Sequence, residues 1–197
     1  RTSPPSADAT LRRVDATVLP TMTYAEYVAR ERASSTKHEW VNGRVYAMAG
    51  GSPEHARLAQ AVGAELRAAL AGKPCAPFSS DLRVHVVATG RTTYPDVTVV
   101  CGKIEPAAGD DEAVTNPSVL VEVLSDSTES ADRGDKWAHY QRIESLGEYV
   151  LVSQREPRIE VYSRDAERPG LWRYREAGPG QRVELPVVAA MAVADPE

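Results

Sequence analysis

The stretch Val119-Leu120-Val121-Glu122-Val123-Leu124, together with Val97-Thr98-Val99-Val100-Cys101, decides the fold. Both stretches are short, almost entirely apolar and rich in β-branched residues. Such runs are typical of strands in the middle of a sheet that is covered on both faces. The sequence therefore predicts a buried central sheet with other elements packed on either side.

The segment before these strands begins with signals for a helix and a hairpin. Thr23 and Glu26 match a capping box, which predicts a short helix from Tyr24 to about Arg32. Asn42-Gly43 lies between two short runs with alternating apolar residues, the strongest short-range signal for a β-hairpin. We expect the folded part of the chain to start with these two elements.

The clearest helix follows the hairpin. Ser52-Pro53-Glu54 supplies a cap, a proline at the first helical position and an acid in the first turn. Apolar side chains then recur every four residues on one face, and Gly72 is placed to end the helix. These apolar residues are Leu58, Val62, Leu66 and Leu70.

The rest of the chain predicts a loop, one more helix and several strands. Residues Gly102 to Pro117 are polar, acidic and interrupted by Gly and Pro, which indicates a surface loop. A third helix is predicted from about Ser130 to Leu146. Further strands are predicted at Cys75 to Phe78, Leu82 to Val87, Glu148 to Ser153, Arg158 to Tyr162 and Trp172 to Arg175. This order indicates an α/β (α+β) fold with a central mixed β-sheet flanked by helices.

Length and composition favour one domain. The chain has 197 residues, enough for one substantial core. Residues 1–20 are rich in Pro, Ser, Ala and Thr and are predicted to be a flexible tail, and a single domain is predicted over 21–192. A short C-terminal tail is predicted at 193–197.

Charge and cysteine content restrict the classes of function. The net charge of −5 argues against a tight nonspecific DNA binder, although a local basic groove is compatible with it. No stretch is long and apolar enough to span a bilayer, so no membrane partner is expected. Cys75 and Cys101 are far apart and form no C-x-x-C pair, which favours two reduced thiols in a cytoplasmic protein.

Two acids stand out because they lie in or beside the most apolar strands. Asp96 precedes the run that starts at Val97, and Glu122 lies inside the other run. A carboxylate is costly to bury without a cation or a set of hydrogen bonds. Two such acids close together would repel each other, and a divalent metal ion between them would offset this repulsion. Mg²⁺ is often held by one or two carboxylates plus substrate phosphate.

The order and spacing of several motifs resemble the Uma-type family of putative restriction endonucleases, within the PD-(D/E)xK nuclease superfamily. The resemblance covers about residues 21 to 190. The matching stretches are Tyr24 to Tyr27, His38 to Met48, His55, Tyr94 to Val97, Asn116 to Ser125, Asp132 to Tyr140 and Glu148 to Val152.

The resemblance implies a restriction-endonuclease-like core, a homodimer and a Mg²⁺-dependent site, with Mn²⁺ as an alternative ion, that hydrolyses phosphodiester bonds in DNA. It implies that Asp96, Glu122 and Glu39 hold the metal. The lysine that the superfamily places two residues after the glutamate is replaced here by Leu124. Lys136 on the next predicted helix is the natural substitute, because a long ammonium side chain can reach the site from a neighbouring element.

Three further residues are candidates for the site, namely His55, Ser125 and Tyr140. Each has a structural alternative, such as capping or packing, and Lys136 could instead form an ordinary helix-surface pair with Asp132. Three hypotheses for the whole protein remain open. They are an active metal-dependent endonuclease, a nuclease-like nucleic-acid-binding or interaction module that does not cut, and a structural protein with an ion pair buried in the sheet.

Overall fold

The computed structural model describes residues 21–48, 50–168, 170–188 and 190–193. The predicted tail at 1–20 and residues 194–197 of the predicted C-terminal tail lie outside these residues. The helices are α1 (Tyr24–Arg32), α2 (Pro53–Ala69), α3 (Glu129–Ala131) and α4 (Trp137–Tyr140), and a π-helical turn (Asp132–Lys136) joins α3 to α4.

The strands of the first half are β1 (His38–Val41), β2 (Arg44–Ala47), β3 (Cys75–Ser79), β4 (Arg83–Val86), β5 (Arg91–Thr93), β6 (Val97–Cys101) and β7 (Pro106–Ala107). Those of the second half are β8 (Asp110–Val114), β9 (Val119–Leu124), β10 (Glu148–Ser153), β11 (Ile159–Arg164), β12 (Trp172–Ala177), β13 (Arg182–Leu185) and β14 (Ala190–Val193). None of the helices in the described segments is long and apolar enough to cross a membrane.

The architecture is α+β, with two six-stranded mixed sheets where the sequence predicted one central sheet. The first sheet has the order β2-β1-β5-β4-β8-β7, and the second has the order β12-β11-β10-β9-β6-β3. β4 runs parallel to β8 and β9 runs parallel to β10, while the other pairs in these sheets are antiparallel. β13 and β14 form a separate antiparallel hairpin.

The predicted N-terminal elements are confirmed in detail. Thr23 and Glu26 form both hydrogen bonds of the capping box at the start of α1. Asn42 and Gly43 have positive φ angles of 48° and 89°, as a two-residue hairpin turn between β1 and β2 requires. The Ser52 side chain accepts from the His55 N–H and caps α2.

Two segments differ from the prediction. The predicted loop from Gly102 to Pro117 contains β7 and β8, and Asp110 in β8 is buried because it forms an ion pair with Arg83. The helix predicted from Ser130 to Leu146 ends at Tyr140. Its later apolar residues, including Leu146, still enter the core, but they do so from turns.

The prediction of two reduced thiols was wrong. Cys75 in β3 lies opposite Cys101 in β6, and the two form a disulfide. The sequence separation of 26 residues concealed this pairing, because it depends on the antiparallel register of two strands that are joined by a long excursion through β4 and β5. A disulfide removes the cysteine argument for a reducing compartment.

The second sheet is covered on both faces, as its apolar strands predicted. Alternate residues of a strand point to opposite faces. Val119, Val121 and Val123 of β9 pack in the cluster that includes Leu66 of α2. Leu120 and Leu124 pack on the other face, in the cluster that includes β4 and the segment from α4 onward. Glu122 has the same parity as Leu120 and therefore points to this second face.

Glu148 at the start of β10 is a fully buried carboxyl group in the second sheet. Its Oε1 accepts from the Val187 N–H at 2.8 Å, and its Oε2 has no hydrogen-bond partner within the described segments. Burial raises the pKa of Glu148 to about 7. The folded state therefore prefers the protonated carboxyl, whereas the unfolded chain ionises near the ordinary glutamate pKa.

We expect this difference in pKa to make stability depend on pH. As pH rises from about 4 to 8, the free energy of unfolding should fall by about 1–3 kcal/mol relative to that of the Glu148→Gln variant, because only the wild type must keep a proton or bury a charge. Urea denaturation of both proteins at several pH values measures the difference. Glu65→Gln, at an exposed position of α2, is the matched control. Parallel pH profiles for wild type and Glu148→Gln would contradict the prediction.

Candidate active site

The strand register brings the two predicted acids together. β6 and β9 are antiparallel, and Val97 pairs with Val121. Asp96 lies one residue before this pair and Glu122 one residue after it, so the two acids are neighbours across the sheet. The Val123 N–H donates to Asp96 Oδ2 at 2.7 Å, which fixes the Asp96 carboxylate beside β9.

Glu122 is held inside the protein by two donors from the helical segment. The Tyr140 hydroxyl donates to Glu122 Oε1 at 2.8 Å, and the Lys136 ammonium donates to the same oxygen at 3.1 Å. The Glu122 side chain is only 4% exposed. Tyr140 is fully buried, so the predicted contact of this residue with the site is made through Glu122 rather than at the surface.

Lys136 is a buried cation and not a surface residue. Its ammonium lies 2.9 Å from Asp132 Oδ1 and 3.7 Å from Glu39 Oε1, in addition to Glu122. The π-helical turn that contains Asp132 and Lys136 places both side chains on the face that meets β9. The predicted substitution of the superfamily lysine by Lys136 is therefore geometrically available, since the ammonium reaches the carboxylate that Leu124 cannot reach.

His55 approaches the pair from the other side. It lies in the first turn of α2, and its Nε2 is 3.2 Å from Asp96 Oδ2. Asp96 thus contacts both a backbone N–H and an imidazole through the same oxygen, and no hydrogen bond to its Oδ1 is found within the described part of the chain. The Asp96 side chain is 14% exposed, so it is partly accessible to solvent.

Glu39 reaches the site from β1 in the first sheet. Thr93 donates to its Oε1 at 2.5 Å and Arg91 donates to its Oε2 at 2.9 Å. Both oxygens are therefore engaged by the protein. Glu39 is connected to Glu122 by the 3.7 Å contact with Lys136 and, more loosely, through Thr93 and the Tyr140 hydroxyl. The role of Glu39 as a metal ligand stays a prediction.

Ser125 is not drawn into this cluster. It follows β9, and its hydroxyl contacts the hydroxyl groups of Ser127 and Thr128. Its carbonyl accepts from the N–H groups of Thr128 and Glu129, which shapes the turn that leads into α3. The structure therefore gives Ser125 a local capping contact, which was the structural alternative for this residue.

Burial dominates the electrostatics of the acidic pair. It raises the pKa of Glu122 to about 8, with Lys136 lowering the pKa and Asp132 and Asp96 raising it further. Burial also raises the pKa of Asp96, against the lowering effects of the Val123 N–H, His55 and Lys136. The site holds more carboxyl groups than its own cations can neutralise.

The pKa of Lys136 is set by its acidic neighbours and not by its burial. Burial alone would lower the pKa of Lys136, but Glu122, Glu39 and Asp132 outweigh it and raise the pKa well above the ordinary lysine value. The ammonium therefore stays charged at neutral pH. A cation that stays protonated beside three acidic side chains can stabilise negative charge but cannot act as a general base.

The donor set fits a hard divalent cation held by few protein ligands. Asp96 and Glu122 offer carboxylate oxygens, the ligand type that Mg²⁺ prefers, and burial raises the pKa values of both acids. Across residues 21–193 as described, no group of three or more His, Cys, Asp and Glu forms a complete metal site. Mg²⁺ commonly retains several waters, so two carboxylates are compatible with it.

Several residues of the cluster were not recognised in the sequence. Asp132 was considered only as a surface partner of Lys136, yet its side chain is 1% exposed. Arg91 and Thr93 lie in β5, a strand of three residues that is too short to show alternation. The only available signal was Asp132 and Lys136 at a spacing of four, which ordinary surface pairs share.

The fold is similar to that of a solved nuclease-like protein. A crystal structure from Anabaena variabilis ATCC 29413, described as a putative nuclease belonging to DUF820, superimposes with a TM-score of 0.63 over 79% of this chain and 85% of that chain. The two sequences are 15% identical, so the likeness establishes a shared nuclease-like fold and nothing about activity.

The family follows from the sequence comparison. This chain belongs to the Uma2 family, described as putative restriction endonucleases, which matches residues 24–194. Two proteins of Synechocystis sp. strain PCC 6803 are similar to it: slr1290 is 34% identical over 84% of this chain and 85% of its own length, and sll1609 is 33% identical over 76% and 85%. The family resemblance predicted from the motifs is confirmed.

Proposed function

We propose that the protein is a Mg²⁺-dependent endonuclease that hydrolyses phosphodiester bonds in DNA. The observation that carries the proposal is the juxtaposition of Asp96 and Glu122 with the buried Lys136 ammonium 3.1 Å from Glu122. A structural ion pair would need only one acid for one lysine. Here Lys136 faces Glu122 and Asp132 together, and Asp96 pairs with no lysine or arginine among the described residues, which leaves carboxylate capacity for a second cation.

Asp96 and Glu122 would hold the metal ion. When bound, such an ion polarises a phosphoryl oxygen and lowers the pKa of a coordinated water. The residues of this chain fix the geometry around it. The Val123 N–H and His55 hold Asp96, and Tyr140 holds Glu122. Fixed ligands of this kind lose little freedom when a substrate binds.

Lys136 would stabilise the charge that develops during hydrolysis. Its ammonium is held on the same carboxylate oxygen as the Tyr140 hydroxyl, at the edge of the acidic pair. A positioned cation is most effective where water is excluded, and the Lys136 side chain is 10% exposed. We assign it to orienting the attacking water and neutralising the phosphoryl oxygens.

Metal removal tests the proposed function directly. Purified protein incubated with supercoiled plasmid should produce nicked or linear DNA with Mg²⁺ or Mn²⁺ and no product with excess EDTA, because the protein side chains alone supply no Lewis acid. Restoring Mg²⁺ to the chelated sample should restore cleavage. Cleavage that continues unchanged in EDTA, or no cleavage of DNA with either ion, would contradict the proposal.

The alternative is a nuclease-like module that binds nucleic acid or another partner without cutting. Leu124 at the usual lysine position and the net charge of −5 favour it. The hydrogen bond from Lys136 to Glu122 also favours it, because the cation already occupies one oxygen of the acid. Calorimetric titration with Mn²⁺ separates the two, since the inactive module predicts no binding at millimolar concentrations.

We also propose a homodimeric assembly, which the family resemblance implies. The cytoplasmic location stays a prediction, without the cysteine argument that the Cys75–Cys101 disulfide removes. An endonuclease dimer would place two copies of the acidic pair on one duplex, which suits cleavage of both strands. A local basic groove for DNA would have to draw on side chains near the acidic pair, since the overall charge is negative.

A further inference from the structure

We propose that Arg91 is a binding site for a backbone phosphate of the nucleic acid, and that Asp135 occupies this site in the free protein. The proposal rests on the proposed function, because it gives the DNA a second anchoring point beside the acidic pair. It assigns roles to Arg91, which lies outside the stretches that match the family, and to Asp135, which has no site role in the family resemblance.

The Arg91 guanidinium lies between the acidic pair and the surface. One terminal nitrogen donates to Glu39 Oε2, and Glu39 contacts Lys136. The other terminal nitrogen donates to the Asp135 carboxylate. The Arg91 side chain is only 4% exposed, and its buried Nε has no hydrogen-bond partner within the described residues. The guanidinium is therefore rigidly placed but not fully satisfied.

The two acids on Arg91 differ in their surroundings. Glu39 is 14% exposed and is also fixed by Thr93, so it belongs to the interior. Asp135 is 66% exposed and lies on the π-helical turn, so its carboxylate can rotate into water at little cost. The Asp135 carboxylate is thus the displaceable anion of the two.

A phosphate is the natural replacement for this carboxylate. Guanidinium groups bind phosphate oxygens with paired, charge-assisted hydrogen bonds, and they are less strongly hydrated than ammonium groups. Nε2 of His139 lies 3.7 Å from Asp135 Oδ1, so the carboxylate is bordered by an imidazole as well as the guanidinium. The Asp135 carboxylate therefore occupies a position for an anion that is bordered by the side chains of Arg91 and His139.

The closing experiment measures DNA binding without metal, so that cleavage plays no part. A fluorescein-labelled duplex oligonucleotide is titrated in EDTA and low salt with wild type, Asp135→Asn and Asp126→Asn, and anisotropy gives the dissociation constants. Asp126 is the matched control, because it is an exposed aspartate that pairs with Arg155 elsewhere on the surface. Both variants remove the same charge.

We expect Asp135→Asn to tighten binding by about threefold to tenfold and Asp126→Asn to change it less than about twofold, since only the first frees a buried guanidinium. The slope of log affinity against log salt should steepen by about one unit in Asp135→Asn alone, because one more phosphate is contacted. Equal effects of the two variants, or no gain for Asp135→Asn, would overturn the proposal.

Inorganic phosphate provides a second probe that needs no change at the buried arginine. Millimolar phosphate should raise the melting temperature of Asp135→Asn more than that of wild type or Asp126→Asn, and equal shifts in all three would count against an anion site. The outcomes remain separable from the proposed function. A gain in binding without any Mg²⁺-dependent cleavage upholds Arg91 and refutes the nuclease. Mg²⁺-dependent cleavage together with equal DNA binding by Asp135→Asn and Asp126→Asn upholds the nuclease and refutes the Arg91 site.

Discussion

Replacement of Lys136 by methionine is expected to lower the free energy of unfolding by about 3–5 kcal/mol in the absence of divalent ions. The ammonium lies 3.1 Å from Glu122 and 2.9 Å from Asp132, and both acids are almost completely buried. Methionine fills a similar volume but supplies no charge. Removing one partner of a buried ion pair leaves the other uncompensated, which costs more than the pair itself contributes.

Urea denaturation of metal-free wild type and Lys136→Met at pH 9, above the pKa of about 8 of Glu122, followed by circular dichroism, measures this loss. Lys103→Met is the matched control, because Lys103 is exposed and its replacement should change stability by less than about 0.5 kcal/mol. Lys136→Arg should retain more stability than Lys136→Met, since the positive charge remains. A loss below about 1 kcal/mol in Lys136→Met would mean that the ammonium does not compensate these acids.

The sequence predicted those elements whose signals are local. The capping box at Thr23, the Asn42-Gly43 turn and the Ser52 cap each depend on residues within a few positions, and all three form as expected. The apolar runs of β6 and β9 likewise carry their own evidence of burial on both faces. Glu122 could be recognised because it interrupts such a run.

The missed elements depend on distant partners. β8 begins Asp110-Asp111-Glu112, which resembles a surface loop until the buried guanidinium of Arg83 is placed against Asp110. The same applies to the disulfide, which needs the register of β3 on β6. A charge next to a residue in sequence is visible in the sequence, whereas a charge supplied by another strand is not.

The third helix shows how a correct pattern gave a wrong boundary. Tyr140, Ile143 and Leu146 are all buried, as a helical face would predict, but their spacing of three also suits successive turns. The backbone leaves the helix after Tyr140, and the carbonyls of Ile143 and Leu146 accept from the side chain of Arg164 in β11. A side chain from a later strand thus replaces the hydrogen bonds that a longer helix would have made.

The candidate site was predicted in part for the same reason. Asp96 and Glu122 follow from two local signals, and the register of their strands makes them neighbours. The π-helical turn that buries Asp132 and Lys136 has no sequence signature that we could recognise. Arg91 joins the cluster only because β1 and β5, two interior strands of the first sheet, contact the helical segment that follows β9.

Replacement of Asp96 by asparagine should reduce Mg²⁺-dependent DNA cleavage by about 10²–10⁴-fold, because a lost metal ligand removes several kcal/mol of transition-state stabilisation. The change is nearly isosteric. The amide oxygen of asparagine can still accept from the Val123 N–H, so the strand contact survives. Removing a negative charge beside Glu122 also relieves a repulsion that contributes to its raised pKa.

Plasmid cleavage over a time course gives the rate for wild type, Asp96→Asn and the control Asp111→Asn. Asp111 is 86% exposed and pairs with Arg32 on the surface, so its replacement should leave the rate within about twofold. Thermal melting of all three should agree within a few degrees, which separates loss of chemistry from loss of folding. Equal cleavage rates for wild type and Asp96→Asn would remove Asp96 from the site, and Glu122 would then be a buried acid held by Lys136 and Tyr140 alone.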